Sequence, residues 1–352
     1  MPRTALALAA AVLVALPCRA DAQAGSERHT LSGDRVEVWN LAGRAELVAG
    51  SGREVVVELR RGGADGSRLT VNARNGRLIV EYPDRDIVYD SPDGGFRSEI
   101  RVDRNSDGTF SGGWGSDRDG GSVRVRTSGS GLRAHADLRI AVPAGQRVLV
   151  AIGLGVIEAT NVNGDLELRT QASRIQGSGL GGALVARTGS GGIELANSDM
   201  SRLQVATGSG GLRLDRVKSG EFKASTGSGR IEGRELTADR FEASTGSGGI
   251  EIFGLNGRDV RTSTGSGGIR LELGQQPGSI TASAGSGGVT LRLPAGVSAE
   301  VDARTGSGRI TTDFPVTMDE VRRNSLRGRI GSGEGGRIRV TTGSGGIRLE
   351  RH

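Results

Sequence analysis

The chain has 352 residues and a formal net charge of +6. No run of five or more like charges occurs, so the clustered bases of a nucleic-acid footprint are missing and no nucleic-acid partner is expected. Glycine is the outstanding residue at 61, while aromatics are 3% and proline numbers 8; this excludes collagen, which needs glycine at every third position and abundant proline, and argues against the aromatic-rich core of a globular enzyme.

The chain opens on an export signal, 1–22. Arg3 supplies the positive end, 5–16 is an apolar run, and Ala20, Asp21 and Ala22 form an A-x-A cleavage site that leaves Gln23 first in the mature chain. The run is too short to span a bilayer, and no later stretch is apolar enough, so no transmembrane segment is expected. Cys18 is the one cysteine, and Pro17 stands where a lipobox wants a small residue, so the thiol is expected to leave with the signal. Disulfides, Cys–zinc sites and Cys nucleophiles are then excluded together.

Residues 23–145 read as a β-rich capping region. Alternation of apolar and polar residues marks strands at 35–39, 54–59, 77–82, 123–126 and 136–142. Between them, 84–122 is rich in Gly, Asp, Ser and Arg and reads as an irregular loop. Inside it Asp103, Asn105 and Asp107, followed by Gly108, have the D-x-N-x-D-G spacing of a calcium loop, whose alternate oxygens wrap a hard cation. Position twelve should be Glu and is Trp114, and Asp117 or Asp119 could substitute only after rearrangement. A solvated Asp/Gly turn is the competing reading, and the missing Glu favours it.

From 146 onward the chain repeats. Gly-Ser-Gly recurs at 189–191, 208–210, 227–229, 246–248, 265–267, 285–287 and 306–308, at steps of 19 to 21, with further copies at 331–333 and 343–345. An apolar column follows the tripeptide: Ile193, Leu212, Ile231, Ile250, Ile269, Val289, Ile310 and Ile347. A second column leads into it: Leu184, Leu203, Phe222, Phe241, Val260, Ile280, Val301 and Ile338. Two residues on come small groups such as Ala224 and Ala243, and two further on a Thr column broken only by Ala284. Spacing of two is the strand period. Parity slips by one at the glycines, which marks a corner where glycine adopts backbone angles other residues avoid. A unit this short buries its apolar face only by stacking on its neighbours in parallel. Rungs about 4.8 Å apart give a rod of roughly 45–50 Å. Glu194 should then lie beside Arg213 and Glu251 beside Arg270, as exposed pairs worth at most about 1 kcal/mol each. At the far end 315–324 interrupts the rungs, and strands at 337–341 and 346–350 read as a variant terminal rung that caps the coil.

Catalytic groups are not assembled in the sequence. His29, His135 and His352 are far apart, and no H-x-x-x-H or G-x-S-x-G occurs. Gly-Ser-Gly lacks the following Lys-Ser/Thr and the helix of a phosphate loop. Acidic residues scatter, so a carbohydrate-active β-helix enzyme, a polysaccharide lyase or hydrolase, is the alternative reading and not the leading one. The Thr column shares parity with Phe222 and Phe241, which predicts that it is buried and not an ice-binding face.

Residues 36–43 (VEVWNLAG), 138–145 (LRIAVPAG), the T-G-S-G-G-I-x-L rungs and the closing 341–349 (TTGSGGIRL) together resemble a bacterial family, the putative adhesin domains of unknown function related to the auto-transporter adhesin head. The resemblance spans most of the mature chain and implies a β-solenoid in an extracytoplasmic setting. Some relatives are associated with cell-envelope stress systems. It carries over no catalytic residue, and the long 84–122 stretch departs from it. The expectation is an all-β, single-stacked parallel β-solenoid with rungs of about 19 residues (146–352) behind a β-rich N-terminal cap. Such a protein is exported to periplasm, cell surface or medium. It acts as a non-catalytic adhesin-like binding or scaffold protein for an envelope or surface ligand, protein or glycan, with no cofactor beyond the calcium considered above.

Overall fold

Short strands with apolar residues at every second position turn one face inward and take their hydrogen bonds from the next rung. The computed structural model describes residues 26–90, 98–111, 121–322 and 324–352. The expected signal 1–22 with Cys18, and Trp114, Asp117 and Asp119, lie outside the described residues. Apart from a 3-10 turn at Gly66–Arg68, every regular element among them is a strand.

The columns become files. Leu203 stands opposite Phe222, Phe222 opposite Phe241, and Phe241 opposite Val260, all in parallel register. Ile193, Leu212, Ile231, Ile250, Ile269 and Val289 form the second file in the same way. All of these side chains are buried, and burying each stabilises by about 1.5–3 kcal/mol. Phe222 and Phe241 stack with ring centroids 5.0 Å apart. The charged positions keep the expected register, Glu194 opposite Arg213 and Glu251 opposite Arg270. The ions choose other partners: Arg213 turns to Glu232 at 3.3 Å, and Glu194 accepts from Gln176 at 3.1 Å.

The Thr column is buried, and its hydroxyls stitch the rungs together. Thr207 Oγ1 donates to the Gly191 carbonyl of the neighbouring rung (2.8 Å) and accepts from Gly210 N of its own (3.0 Å). Thr226, Thr245 and Thr264 repeat both bonds. Each is worth a net 0.5–1.5 kcal/mol or about that.

The glycines are needed for a different reason from the one the parity slip suggests. Gly208, Gly210, Gly227 and Gly229 do not have positive φ. Instead the stacked corners approach so closely that a Cβ on Gly229 would sit 1.8 Å from Gly210 O, and one on Gly227 would sit 2.4 Å from Gly208 O. The third glycine has room, since a Cβ on Gly211 would meet its nearest atom at 3.4 Å, and Arg174, Arg230 and Arg309 occupy that position in other rungs. Left-handed backbone appears at a second bend, at Asn197, Arg216, Glu235 and Gly254.

The coil starts far upstream of 146. Arg35–Ala49 is its first rung, parallel to Arg147–Thr160 with Val36 opposite Val148 and Ala45 opposite Ile157. Residues 50–146 are therefore an excursion between the first and second rungs. Part of it covers the open edge of the first rung. His135–Val142 pairs parallel with it, Val55–Gly62 pairs antiparallel with His135–Val142, and Glu27–Leu31 closes that set. Arg77–Glu81, in a hairpin with Thr70–Arg74, pairs with residues 37–39. An uncovered edge would recruit other chains.

The irregular loop expected at 84–122 is in part a second, five-stranded sheet. It contains Asp86–Val88, Glu99–Arg104, Phe110–Ser111, Ser122–Arg126 and Leu132–Arg133. Buried Ile87, Ile100, Val102, Val123 and Val125 supply its apolar face. The alternation at 99–104 is short and lies among turn-forming residues, which hid it.

The last rung in sequence does not cap the coil. Arg337–Thr342 lies between Ser279–Ala284 and Ala299–Thr305, parallel to both, and Ile347–Arg351 lies between Val289–Leu293 and Ile310–Thr312. The cap is the antiparallel pair Val316–Arg322 and Ser325–Ile330, laid on Ala299–Thr305.

A candidate ligand groove beside the first rungs

The five-stranded sheet stands over the corner of the first two rungs. Close approach there requires small residues: a Cβ on Gly153 would lie 2.6 Å from Leu41 O and 3.4 Å from Ile100 Cδ1. Phe110 from this sheet meets Trp39 of the first rung edge-to-face, with centroids 5.3 Å apart and planes at 85°. The two rings line a groove of about 810 Å³ together with Arg169, Thr170 and Arg187 of the following rungs, and Trp39, Ala151, Arg169 and Arg187 follow one another in register along one sheet. Trp39 and Phe110 both keep 8% of their surface exposed.

The groove carries an excess of positive charge. Arg169 and Arg187 are neighbours across adjacent rungs. Both point to Glu167, Arg169 through a close ion pair and Arg187 at 3.9 Å, and Arg35 also reaches Glu167 at 3.1 Å. One carboxylate thus serves the two groove guanidinium groups, while Arg35 also pairs with Glu37 at 3.3 Å. The Thr170 hydroxyl, in a residue 5% exposed, heads the Thr ladder with no hydrogen-bond partner.

Two further depressions border the coil and its cap. One of about 600 Å³ lies between Tyr89, Ser98 and Thr127 of the second sheet and Arg174, Gln176 and Ser190 of the coil. Another, of about 420 Å³, is laced by the ion pairs Arg60–Asp137 (3.3 Å) and Arg139–Glu46 (2.9 Å). Behind these, Asn40 and Tyr82 form a buried polar knot. Tyr82 OH donates to Asn40 Oδ1 (2.7 Å), and Asn40 Nδ2 donates to Ala136 O (2.7 Å). Burial pushes the Tyr82 phenol well above its ordinary value, although its hydrogen bond to Ala42 opposes that shift.

The residues of the calcium reading lie in and beside a hairpin turn. Asp103 belongs to Glu99–Arg104, opposite Ser111. Asp107 Oδ1 accepts from Thr109 N (3.0 Å) and Thr109 Oγ1 (2.7 Å), and Oδ2 accepts from Arg77 (2.9 Å). Asn105 Nδ2 donates to Thr109 Oγ1 at 2.8 Å. Partial burial raises the Asp107 carboxyl, but the Thr109 hydrogen bonds and the Arg77 guanidinium outweigh it and hold the group below the ordinary value of 3.8. Both oxygens of Asp107 thus already have protein partners. Among the described residues, no three His, Cys, Asp or Glu side chains come together as a metal-binding group.

The three histidines lie on different elements. His29 faces Glu27 at 3.6 Å, His135 packs on Tyr89 with ring centroids 5.2 Å apart, and a ring nitrogen of His352 meets Leu273 O at 2.9 Å. Among the described residues no helix is long and apolar enough to cross a membrane.

Residues 181–350 match the Toastrack DUF4097 family. The matched stretch is just under half of the chain. It takes in the regular rungs, the antiparallel cap and the intercalated last rung. Of the groove residues above, Arg187 lies inside the Toastrack stretch, while Trp39, Phe110, Arg169 and Thr170 lie before it. Two solved structures are similar to the chain. One is a putative adhesin from Bacteroides fragilis NCTC 9343, at 11% identity and a TM-score of 0.37, with 92% of this chain and 95% of that one covered. The other is a putative cell adhesion protein from Clostridium sporogenes ATCC 15579, at 8% identity and a TM-score of 0.22, with 93% and 100% covered. No curated protein matches the chain.

Sequence reasoning missed the groove because its residues come from three separated stretches and share no motif. The one available signal was the pair of arginines, Arg169 and Arg187, standing one rung apart.

Proposed function

We propose that this is an exported, non-catalytic protein of the adhesin type that binds an anionic envelope or surface glycan in the groove between the second sheet and the first rungs. The coil acts as its scaffold, a single stack of rungs of about 19 residues. The observation that carries the reading is the charge arrangement: Arg169 and Arg187 line the groove and share the carboxylate of Glu167, which Arg35 also reaches. Arg169 and Arg187 line the groove together with Trp39 and Phe110, against which the apolar edge of a sugar can rest. In the same reading the turn at 103–108 is held by Thr109 and Arg77 and needs no calcium, so adding calcium leaves the melting temperature unchanged. A rise would return Asp103, Asn105 and Asp107 to the role of ligands.

The test is a glycan array and a pull-down from envelope fractions with the wild type and Arg169→Ala/Arg187→Ala. The wild type is expected to retain acidic glycans, more weakly at high salt, and the double variant to lose them while melting at the same temperature. Undiminished binding by the double variant, or binding of neutral glycans alone, would defeat the proposal. Amino-terminal sequencing of the exported protein should begin at Gln23.

A further inference from the structure

The strands Ala299–Thr305 and Ile310–Thr312 take their coil-side partners from 337–351 alone. The antiparallel cap pairs in turn on Ala299–Thr305. Residues 299–330 are therefore pinned to the coil by a strand pair that comes later in the chain. If 337–351 leaves, two parallel edges open at once, one on 279–293 and one on 299–312. Open, hydrogen-bonding edges of this kind are templates for another chain.

What fits between those edges is narrowly specified. Ile338, Val340, Ile347 and Leu349 are all buried there. Thr342 Oγ1 donates to Gly287 O at 2.8 Å, and Thr305 Oγ1 donates to Gly345 O at 2.8 Å. A Cβ on Gly345 would sit 2.2 Å from Gly287 O. The place therefore accepts a parallel T-G-S-G-G-I-x-L strand pair and rejects side chains at its corner. The segment joining 299–330 to it, 331–336, is mostly exposed and has left-handed glycines at Gly331 and Gly333. Its hydrogen bonds outside the segment include those to Gln276 and Ser298, through Gly335 O, Ser332 Oγ and Gly333 N.

We propose that the place between 279–293 and 299–312 is a strand-binding site, and that its partner is the 337–351 segment of a second copy of this chain, exchanged for the chain's own. The partner must present the same strand pair, and each copy carries one. Exchange through 331–336 makes a closed two-fold pair with no new contact type, since every bond made in trans is one broken in cis.

The experiment uses the full chain and a fluorescent peptide of residues 337–352, incubated in sub-denaturing urea. Ser283 Oγ and Thr341 Oγ1 lie 3.2 Å apart on neighbouring strands, so Ser283→Cys/Thr341→Cys places a disulfide across the joint. The wild type is expected to take up one peptide per chain, and two differently labelled full-length copies to form mixed dimers. The oxidised double-cysteine variant should do neither and should recover both on reduction. A peptide carrying Gly345→Val should not be incorporated. Hydrogen exchange should show 299–330 opening together with 337–351 while rungs 148–273 stay protected. Absence of peptide uptake and mixed dimers in the wild type, uptake undiminished in the oxidised variant, or opening of 337–351 without 299–330 would each overturn the proposal. None of these outcomes involves the glycan groove, so the two proposals stand or fall separately.

Discussion

The first rung and the later rungs face the same problem, a sharp corner with polar backbone groups turned inward, and they solve it differently. In the first rung the corner is held by side chains from far away: Asn40 reaches Ala136 O, and Tyr82 reaches Asn40. In the later rungs a Thr hydroxyl three residues from its own corner bonds both rungs. The first solution is singular and depends on long-range folding. The second is local, repeated and individually weak. A repeat thus shares out over many rungs what a single rung must concentrate in one knot.

That contrast can be broken at several points. The largest effect is expected from Gly229→Ala, where the new Cβ would press into Gly210 O; overpacking of this kind costs about 3 kcal/mol or more, with backbone on both sides unable to yield. Gly211→Ala, with room at its corner, should be nearly neutral in the same urea titration. Equal losses in the two variants would mean that close stacking is not what selects glycine. Next comes Asn40→Ala. It leaves the Ala136 carbonyl buried with a partner missing, at about 1–3 kcal/mol, while the Tyr82 hydroxyl keeps Ala42 O as an acceptor at 2.9 Å. Hydrogen exchange should place that loss in 35–49 and its cap and leave the later rungs protected.

A smaller change tests the ladder itself. Thr226→Val deprives Gly210 O and Gly229 N of the hydroxyl that bonds both, for about 1–2 kcal/mol by thermal melting. Ala284→Thr, which fills the one gap in the column, should return a similar amount. A destabilised Ala284→Thr would show that the ladder has no room there.

The smallest effect should be the pH dependence of the cap. Burial lowers the His135 imidazole below its ordinary 6.5, against the raising pull of Asp137. The fold prefers the neutral ring, whereas the unfolded chain takes up its proton as pH falls below 6.5. Stability should therefore decline from that pH downward until the folded imidazole is protonated too. His135→Gln should flatten that part of the curve, and an unchanged slope would assign the decline to other groups.

Much of the regular coil was legible because its chemistry repeats. The apolar columns, the buried Thr residues and the register of the charged positions all follow from alignment on Gly-Ser-Gly. Three things were not legible, each for a physical reason. The first rung lacks the tripeptide, since Leu41, Ala42 and Gly43 make its corner with help from Tyr82. The order of the last two rungs is hidden because Val301 and Ile338 fill the same file equally well, so side chains cannot say which comes first. The groove is assembled from Trp39, Phe110, Arg169 and Arg187, which only the folded chain brings together. The role of glycine was read correctly as a corner, but for the wrong cause, because the sequence does not display the distance between stacked backbones.

The intercalated rung also bears on how the molecule comes into being. Synthesis proceeds from the amino end, so 299–330 emerges before the strands that hold it. Until 337–351 arrives, the growing chain has a cap whose supporting strands are not paired with the coil, and a coil with a bare edge. A copy cut short before residue 337 would therefore carry a sticky end that 337–351 otherwise conceals.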